Sequence, residues 1–317
     1  MRRFASPAVS LAAATVCAQL VLAAELVVAT HNMPVSRFSE VALAISLGMV
    51  GALVFDFGSN LYSVRELASG STSEKCYAER LFCKLSIAVT LSGAGIFLCR
   101  VLGPNAILVG GLALFFAQVA VQAIAVPFRA KDMASTPAWF GVASRSGGLV
   151  FLLTVDAVAQ SPHAVLATLV CQDLLALVGT AAEGGRRGLL RGTRPAWRNP
   201  WAGSCRYGVA SLGVGMAQLD IVVLGAAGGA SAAGVYGAVN RWIQPFNMLA
   251  ASVAITITPS VAKYPTWTRL WQVIRSHRLL LVTASIGGVG VAVSSHGLVN
   301  VLLGDGYEEA AWPLNLV

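Results

Sequence analysis

Residues 106–128, AILVGGLALFFAQVAVQAIAVPF, decide the fold class. The stretch is long enough, and apolar enough, to cross the hydrocarbon core of a bilayer as a helix, which takes about 20 residues. Comparable stretches recur at about 8–30, 39–61, 85–102, 138–159, 163–183, 207–229, 234–258 and 279–303, and a further one opens at Ala310 and runs to Val317. The turns between them are short and polar, such as His31-Asn32-Met33-Pro34 and Ser161-Pro162. Short turns make consecutive helices antiparallel neighbours, so the pattern predicts an all-α polytopic membrane protein.

Composition agrees. The 317 residues are 56% hydrophobic and 11% charged, with a mean hydropathy of +0.72. A soluble domain carries about 25% charged residues to wet its surface; here lipid must serve as solvent for much of the chain. The formal charge of +8 could suit a nucleic-acid binder, but in a membrane protein the placement of basic residues matters more than their sum. With the N-terminus in the cytoplasm, the inner segments hold Arg2 and Arg3, then Arg65, Lys75, Arg80 and Lys84, then Arg129 and Lys131. They continue with six arginines from Arg186 to Arg206, then Lys263, Arg269, Arg275 and Arg278. The outer side has Arg37 and Arg100. This asymmetry predicts a multi-pass protein of the cytoplasmic membrane, N-terminus inside. The first apolar run follows Arg2 and Arg3 as a signal peptide would, but its length and the lack of a clear cleavage site read as a retained helix.

Catalytic chemistry finds little support. No phosphate-binding glycine loop or nucleophile motif occurs, and the four histidines lack metal-ligand spacing. Cys17, Cys76, Cys83, Cys99, Cys171 and Cys205 form no CxxC pair and read as free thiols. No catalytic residue, metal or cofactor is expected, nor a nucleic-acid partner. The polar Gly/Arg-rich stretch at 184–206 divides residues 1–183, a first bundle of six helices, from residues 207–317, a partial second bundle. It reads as a basic cytoplasmic linker, and a strip contacting anionic headgroups fits the same residues. Trp267 to Arg275 is basic and aromatic, as an anchoring helix on the inner leaflet would be.

Ionisable groups at membrane depth are costly and therefore candidate functional groups. Arg145 lies roughly 11 Å along the fifth span at 1.5 Å per residue, and Arg241 at similar depth in the eighth. Asp173 falls near the midplane and Asp220 about 20 Å into the seventh span. Gln118 and Gln122, four apart, share a helix face, and Asn240 and Gln244 flank Arg241. Glu25, Asp56 and Asp156 lie near span ends and read as interfacial. Two interpretations stand for the deep charges. Arg145 could pair with Asp173 and Asp220 with Arg241 as structural ion pairs. Alternatively the arginines, with Gln118, Gln122, Asn240 and Gln244, could line a cavity for an anionic group, since a guanidinium fork suits phosphate. Asp173 and Asp220 could then bind a coupling Na⁺ or H⁺.

Several segments carry a resemblance. Phe55-Asp56-Phe57-Gly58-Ser59-Asn60-Leu61-Tyr62-Ser63-Val64-Arg65-Glu66 resembles the stretch closing the second helix of polysaccharide-type flippases. Gln218 to Gly225, followed by Ala233 to Arg241, resembles their seventh and eighth helices, and Pro259 and Leu303 to Ala311 also fit. The chain is thus similar to the oligosaccharide-lipid flippases of the MOP exporter superfamily, relatives of the MATE drug exporters and the lipid II flippases. The resemblance implies a MATE-like fold of two six-helix bundles, here with an incomplete second bundle. It also implies alternating access that moves an undecaprenyl-pyrophosphate-linked oligosaccharide outward for surface polysaccharide synthesis. Membrane lipids, and a polysaccharide polymerase or other assembly proteins, are the partners it implies. Family members have twelve to fourteen helices, so the sequence reads as truncated, or as completed by a partner chain. Two other functions fit: a MATE-like, cation-coupled multidrug exporter, and a non-transporting membrane subunit of a polysaccharide-assembly complex. Deep carboxylates in the first bundle would favour drug export; with Asp173 alone at depth beside Arg145, the sequence tilts toward anionic cargo.

Overall fold

The computed structural model describes residues 2–103, 105–190, 197–216 and 219–229, with scattered positions from 233 to 286. Among these residues there are helices and no strands. In order they are α1 (Arg2–Asn32), α2 (Val35–Asp56), α3 (Ser59–Ser69), α4 (Glu74–Leu102), α5 (Ala106–Ile124) and α6 (Val126–Ala130). There follow α7 (Ser135–Thr154), α8 (Asp156–Ala159), α9 (Pro162–Arg186), α10 (Cys205–Met216) and α11 (Asp220–Gly229). Five segments are long and apolar enough to cross a membrane: Val9–Asn32, Val35–Asp56, Glu74–Leu102, Ile107–Ala130 and Pro162–Arg186.

Local chemistry sets the boundaries. Pro34 precedes α2 at φ −65°, and Pro162 opens α9, where the missing N–H costs nothing. Ser73 accepts from the Cys76 N–H at the start of α4, and Asn105 accepts from the Leu108 N–H at the start of α5, each satisfying a donor the helix cannot. Several expected spans are interrupted. The stretch 39–61 is not one helix: α2 stops at Asp56, and Phe57 and Gly58 turn left-handed at φ 42° and 70°. The stretch 138–159 divides after Thr154 into α7 and α8, and 207–229 divides into α10 and α11 around Leu219. The stretch 85–102 gains a polar N-terminal extension, since α4 begins at Glu74. Apolar content alone marks lipid depth and misses these breaks. The stretches 234–258 and 279–303 lie largely outside the described residues, as does the segment around Trp267; Trp271 and Arg275 are helical and exposed.

Packing follows small residues. α2 lies chiefly on α5, α1 on α7, and α9 on both α7 and α5. A Cβ on Gly48 would stand 2.8 Å from the Leu114 Cβ, and one on Gly110 would stand 2.7 Å from a Leu166 methyl. Such clefts let helix backbones approach, which is how helices associate where lipid removes the hydrophobic drive. Leu22, Leu26, Phe38, Val41, Leu114, Leu152 and Val165 fill the centre. On α4, Phe97, Leu98, Val101 and Leu102 point outward, as lipid-facing residues do. The second half also touches α2: Cβ atoms on Gly225 and Gly237 would each come within 2.7 Å of it, at Leu43 and Ala42.

Two groups expected at interfaces are instead buried. Lys84, only 3% exposed, forms an ion pair with Asp56 and donates to the Ser59 hydroxyl at 2.7 Å and to Asn60 Oδ1 at 3.0 Å. Asp56 also accepts from the Ser59 hydroxyl at 3.0 Å, holding the start of α3 across the left-handed break. Asp56 does not snorkel, because the break folds α3 and α4 over it. Removing one partner of a buried pair leaves a bare charge, at about 3–5 kcal/mol. Lys84→Met should therefore lower the unfolding midpoint in detergent markedly, and adding Asp56→Asn should recover much of the loss. A single variant as stable as the parent would show the pair to be dispensable.

Candidate functional site

The first half gathers polar groups from four helices, α1, α5, α7 and α9. On α1, buried positions step along one face through Leu11, Ala14, Ala18, Leu22, Glu25 and Ala29, the spacing of a helix stripe. Glu25 therefore faces inward. Its Oε1 accepts from Gln172 Nε2 of α9 at 2.5 Å, and its Oε2 is buried without a partner. One residue along α9, Asp173 Oδ2 accepts from Gln118 Nε2 of α5 at 2.6 Å. Arg145, on α7, donates from Nη1 to the Ala18 carbonyl at 3.0 Å, two turns from Glu25 on the same face. Its positive charge lies close enough to attract both carboxyls.

The structure thus brings Arg145, Asp173 and Gln118 into one neighbourhood and adds two residues, Glu25 and Gln172. Of the two interpretations, the direct Arg145–Asp173 ion pair does not form: among the described residues the ion pairs lie elsewhere. Arg145 is held by a backbone oxygen instead, within Coulomb reach of two carboxyls. Gln122 is half-buried and makes no hydrogen bond with these groups. Glu25 corrects the interfacial reading, since α1 runs on to Asn32 and carries it within the helix. The first half therefore has two carboxyls at depth rather than Asp173 alone.

In the second half, Asp220 begins α11. Its Oδ1 accepts from the Ile221 N–H at 2.8 Å and its Oδ2 from the Tyr236 hydroxyl at 2.5 Å. It is the first residue of a new helix, not a point along an unbroken span. Arg241, Asn240 and Gln244 lie outside the described residues. Asp156 opens α8. Among the described residues no cluster of His, Cys, Asp and Glu has the makings of a metal site, and all six cysteines are free.

No family model matches the chain, and no curated protein does. Among solved structures, a MATE protein in complex with MaL6 is similar, with a TM-score of 0.55 at 12% identity, over 98% of this chain and 77% of that one. The chain is a multi-pass, all-α membrane protein with a MATE-like fold.

Close approach of α7 to α9 is what presents Gln172 to Glu25. Gly148 of α7 leaves the space that the Gln172 amide occupies: a Cβ there would meet its Nε2 at 1.6 Å. Gly148→Ala should therefore displace Gln172, strip Glu25 of its donor and destabilise the fold by about 1–3 kcal/mol, as overpacking does. Gln172→Ala in the same chain should relieve the clash, so the double variant should unfold at a higher temperature than Gly148→Ala alone. A double variant no better than the single would place the strain elsewhere.

Proposed function

We propose that the chain is a membrane exporter that moves a lipid-linked oligosaccharide, carried on undecaprenyl pyrophosphate, across the cytoplasmic membrane for surface polysaccharide synthesis. The observation that carries the reading is Arg145, a permanent cation held at depth by the Ala18 carbonyl rather than neutralised in a direct ion pair. The MATE-like fold and the flippase-like segments from Phe55 to Glu66 and from Gln218 to Arg241 support it. In this reading residues 1–183 and 207–317 are two bundles joined by the basic linker 184–206, with the N-terminus inside. Arg145 and Arg241 face a polar cavity with Gln118, Gln122, Asn240 and Gln244. The bundles rock about that cavity; pyrophosphate and sugars pass through it while the lipid tail stays in the bilayer. The pyrophosphate finds paired donors on guanidinium groups, which suit its oxygens better than any neutral side chain.

A second reading, cation-coupled multidrug export, is favoured by Glu25. With Asp173 it gives the first half two deep carboxyls, each held by a glutamine amide, and a carboxyl with one unpartnered oxygen could take up a proton or Na⁺. A non-transporting subunit of a polysaccharide-assembly complex would need neither group for movement of cargo.

The deciding experiment measures lipid-linked oligosaccharide in the inner leaflet of a deletion strain, before and after the chain is returned. Accumulation cleared by the returned chain supports the flippase; no accumulation overturns it and turns attention to drug efflux. Within a functional assay, Arg241→Ala should impair clearance at unchanged protein level, with Arg241→Lys keeping part of it. Equal clearance at equal abundance in the alanine variant would remove Arg241 from the cavity. Glu25→Gln should abolish drug resistance under the second reading, whereas charge reversal at Arg145 should alter only stability under the third.

A further inference from the structure

Where α2 ends and α4 begins, a group of arginines stands apart from the cluster at depth. Arg80 lies on the second turn of α4, its Cζ 5.7 Å from the centre of the Tyr62 ring. Its Nε and Nη1 are shielded from solvent, yet neither has an acceptor. A guanidinium cannot shed its proton to escape this, and a buried donor left unmet is costly, more so when charged. Neighbouring groups do not relieve it. Glu79 is engaged by Arg198 Nη1 at 3.4 Å. Arg65 Nη1 donates to the Tyr207 hydroxyl at 2.7 Å, and the Tyr207 ring lies 5.9 Å from that of Tyr62. Arg80 and Arg65 thus stand against the Tyr62–Tyr207 pair, and among the described residues no carboxylate forms an ion pair with either arginine.

We propose that Arg80, with Arg65 across the Tyr62–Tyr207 pair, forms a binding site for a phosphate group. The chemistry is specific in three respects. The local charge is positive in excess, and a tetrahedral anion offers several acceptors to donors that now have none. Arg80 stands about 9 Å along α4 from Glu74, at 1.5 Å per residue, just before the apolar run at 85–102, which is headgroup depth. Basic pockets between helices at that depth hold anionic lipid headgroups. Arg80 as a whole is only half-buried. The site does not depend on what the protein exports.

The phosphate could belong to a lipid headgroup or to a soluble anion, and the test separates them. The full chain is placed in phosphatidylcholine nanodiscs, with phosphatidylglycerol added in one arm and inorganic phosphate in the other. The unfolding midpoint is followed, and lipids retained on the chain are counted by native mass spectrometry. Phosphatidylglycerol should raise the midpoint and stay bound. Arg80→Gln should weaken this about tenfold, the loss of one charge-assisted contact, while Arg80→Lys keeps part and Arg100→Gln, in the last turn of α4, keeps all. A gain with phosphatidylglycerol alone assigns a lipid headgroup; a gain with inorganic phosphate assigns a soluble anion. No Arg80-dependent gain in either arm overturns the site. If Arg80→Gln fails to fold, a parent chain that retains no phosphatidylglycerol and gains nothing from phosphate overturns it equally.

Discussion

A carboxyl group buried at the depth of Glu25 can be neither hydrated nor left bare, because hydrocarbon offers it no donor. The arrangement of α1, α7 and α9 is consistent with that single requirement. Gln172 must reach across from α9, so α7 must give way at Gly148. Arg145 must come near, so α7 must lie along the face of α1 that bears Ala18 and Glu25. Asp173 next door needs its own donor, and Gln118 brings α5 to it. Four helices are thereby registered to one another by polar bonds, while the apolar side chains between them fill whatever space remains.

The same rule operates at the other end of α2, with different chemistry. There the Phe57–Gly58 break exposes the backbone of a new helix start, and Asp56 supplies the acceptors while Lys84 balances its charge. Beyond the break, the indole of Trp201 donates to the Phe55 carbonyl at 2.7 Å, its ring edge-on to Phe55 at 5.3 Å. The approach is close: Gly58, at φ 70°, lies where a Cβ would stand 2.4 Å from the Tyr207 backbone. The segment after residue 197 is thus seated on the first half by aromatic and hydrogen-bonded contact, more closely than a polar linker would require.

Much of this was legible in the sequence. Apolar runs of the right length mark where most of the long helices in the first half lie, because burial in lipid leaves a compositional mark that needs no partner to read. Arg145, Asp173 and Gln118 stood out for the same reason, as polar letters in apolar stretches. What composition could not show was which groups meet. Distance from the span end places Glu25 at the interface, whereas the stripe from Leu11 through Ala18 to Ala29 carries the decisive signal that it faces inward. Lys84 precedes the apolar run at 85–102 and so looks like a loop charge, but α4 begins at Glu74 and carries it within the helix. The break at Phe57–Gly58 lies inside the resemblance motif, where the polar residues from Ser59 to Glu66 follow it directly; the left-handed turn packs against the Tyr207 backbone, a contact that sequence spacing does not show.

The length of α4 carries a mechanical consequence. Its apolar portion, residues 85–102, spans about 27 Å at 1.5 Å per residue, slightly less than a typical hydrocarbon core of about 30 Å. Its outward face is exposed, with Phe97 68% accessible, and no helix among the described residues screens it from lipid on that side. The bilayer beside α4 must therefore thin, or α4 must stand nearly upright, since tilting would shorten its span further. Either response ties the local thickness of the bilayer to the seating of α4 along this edge.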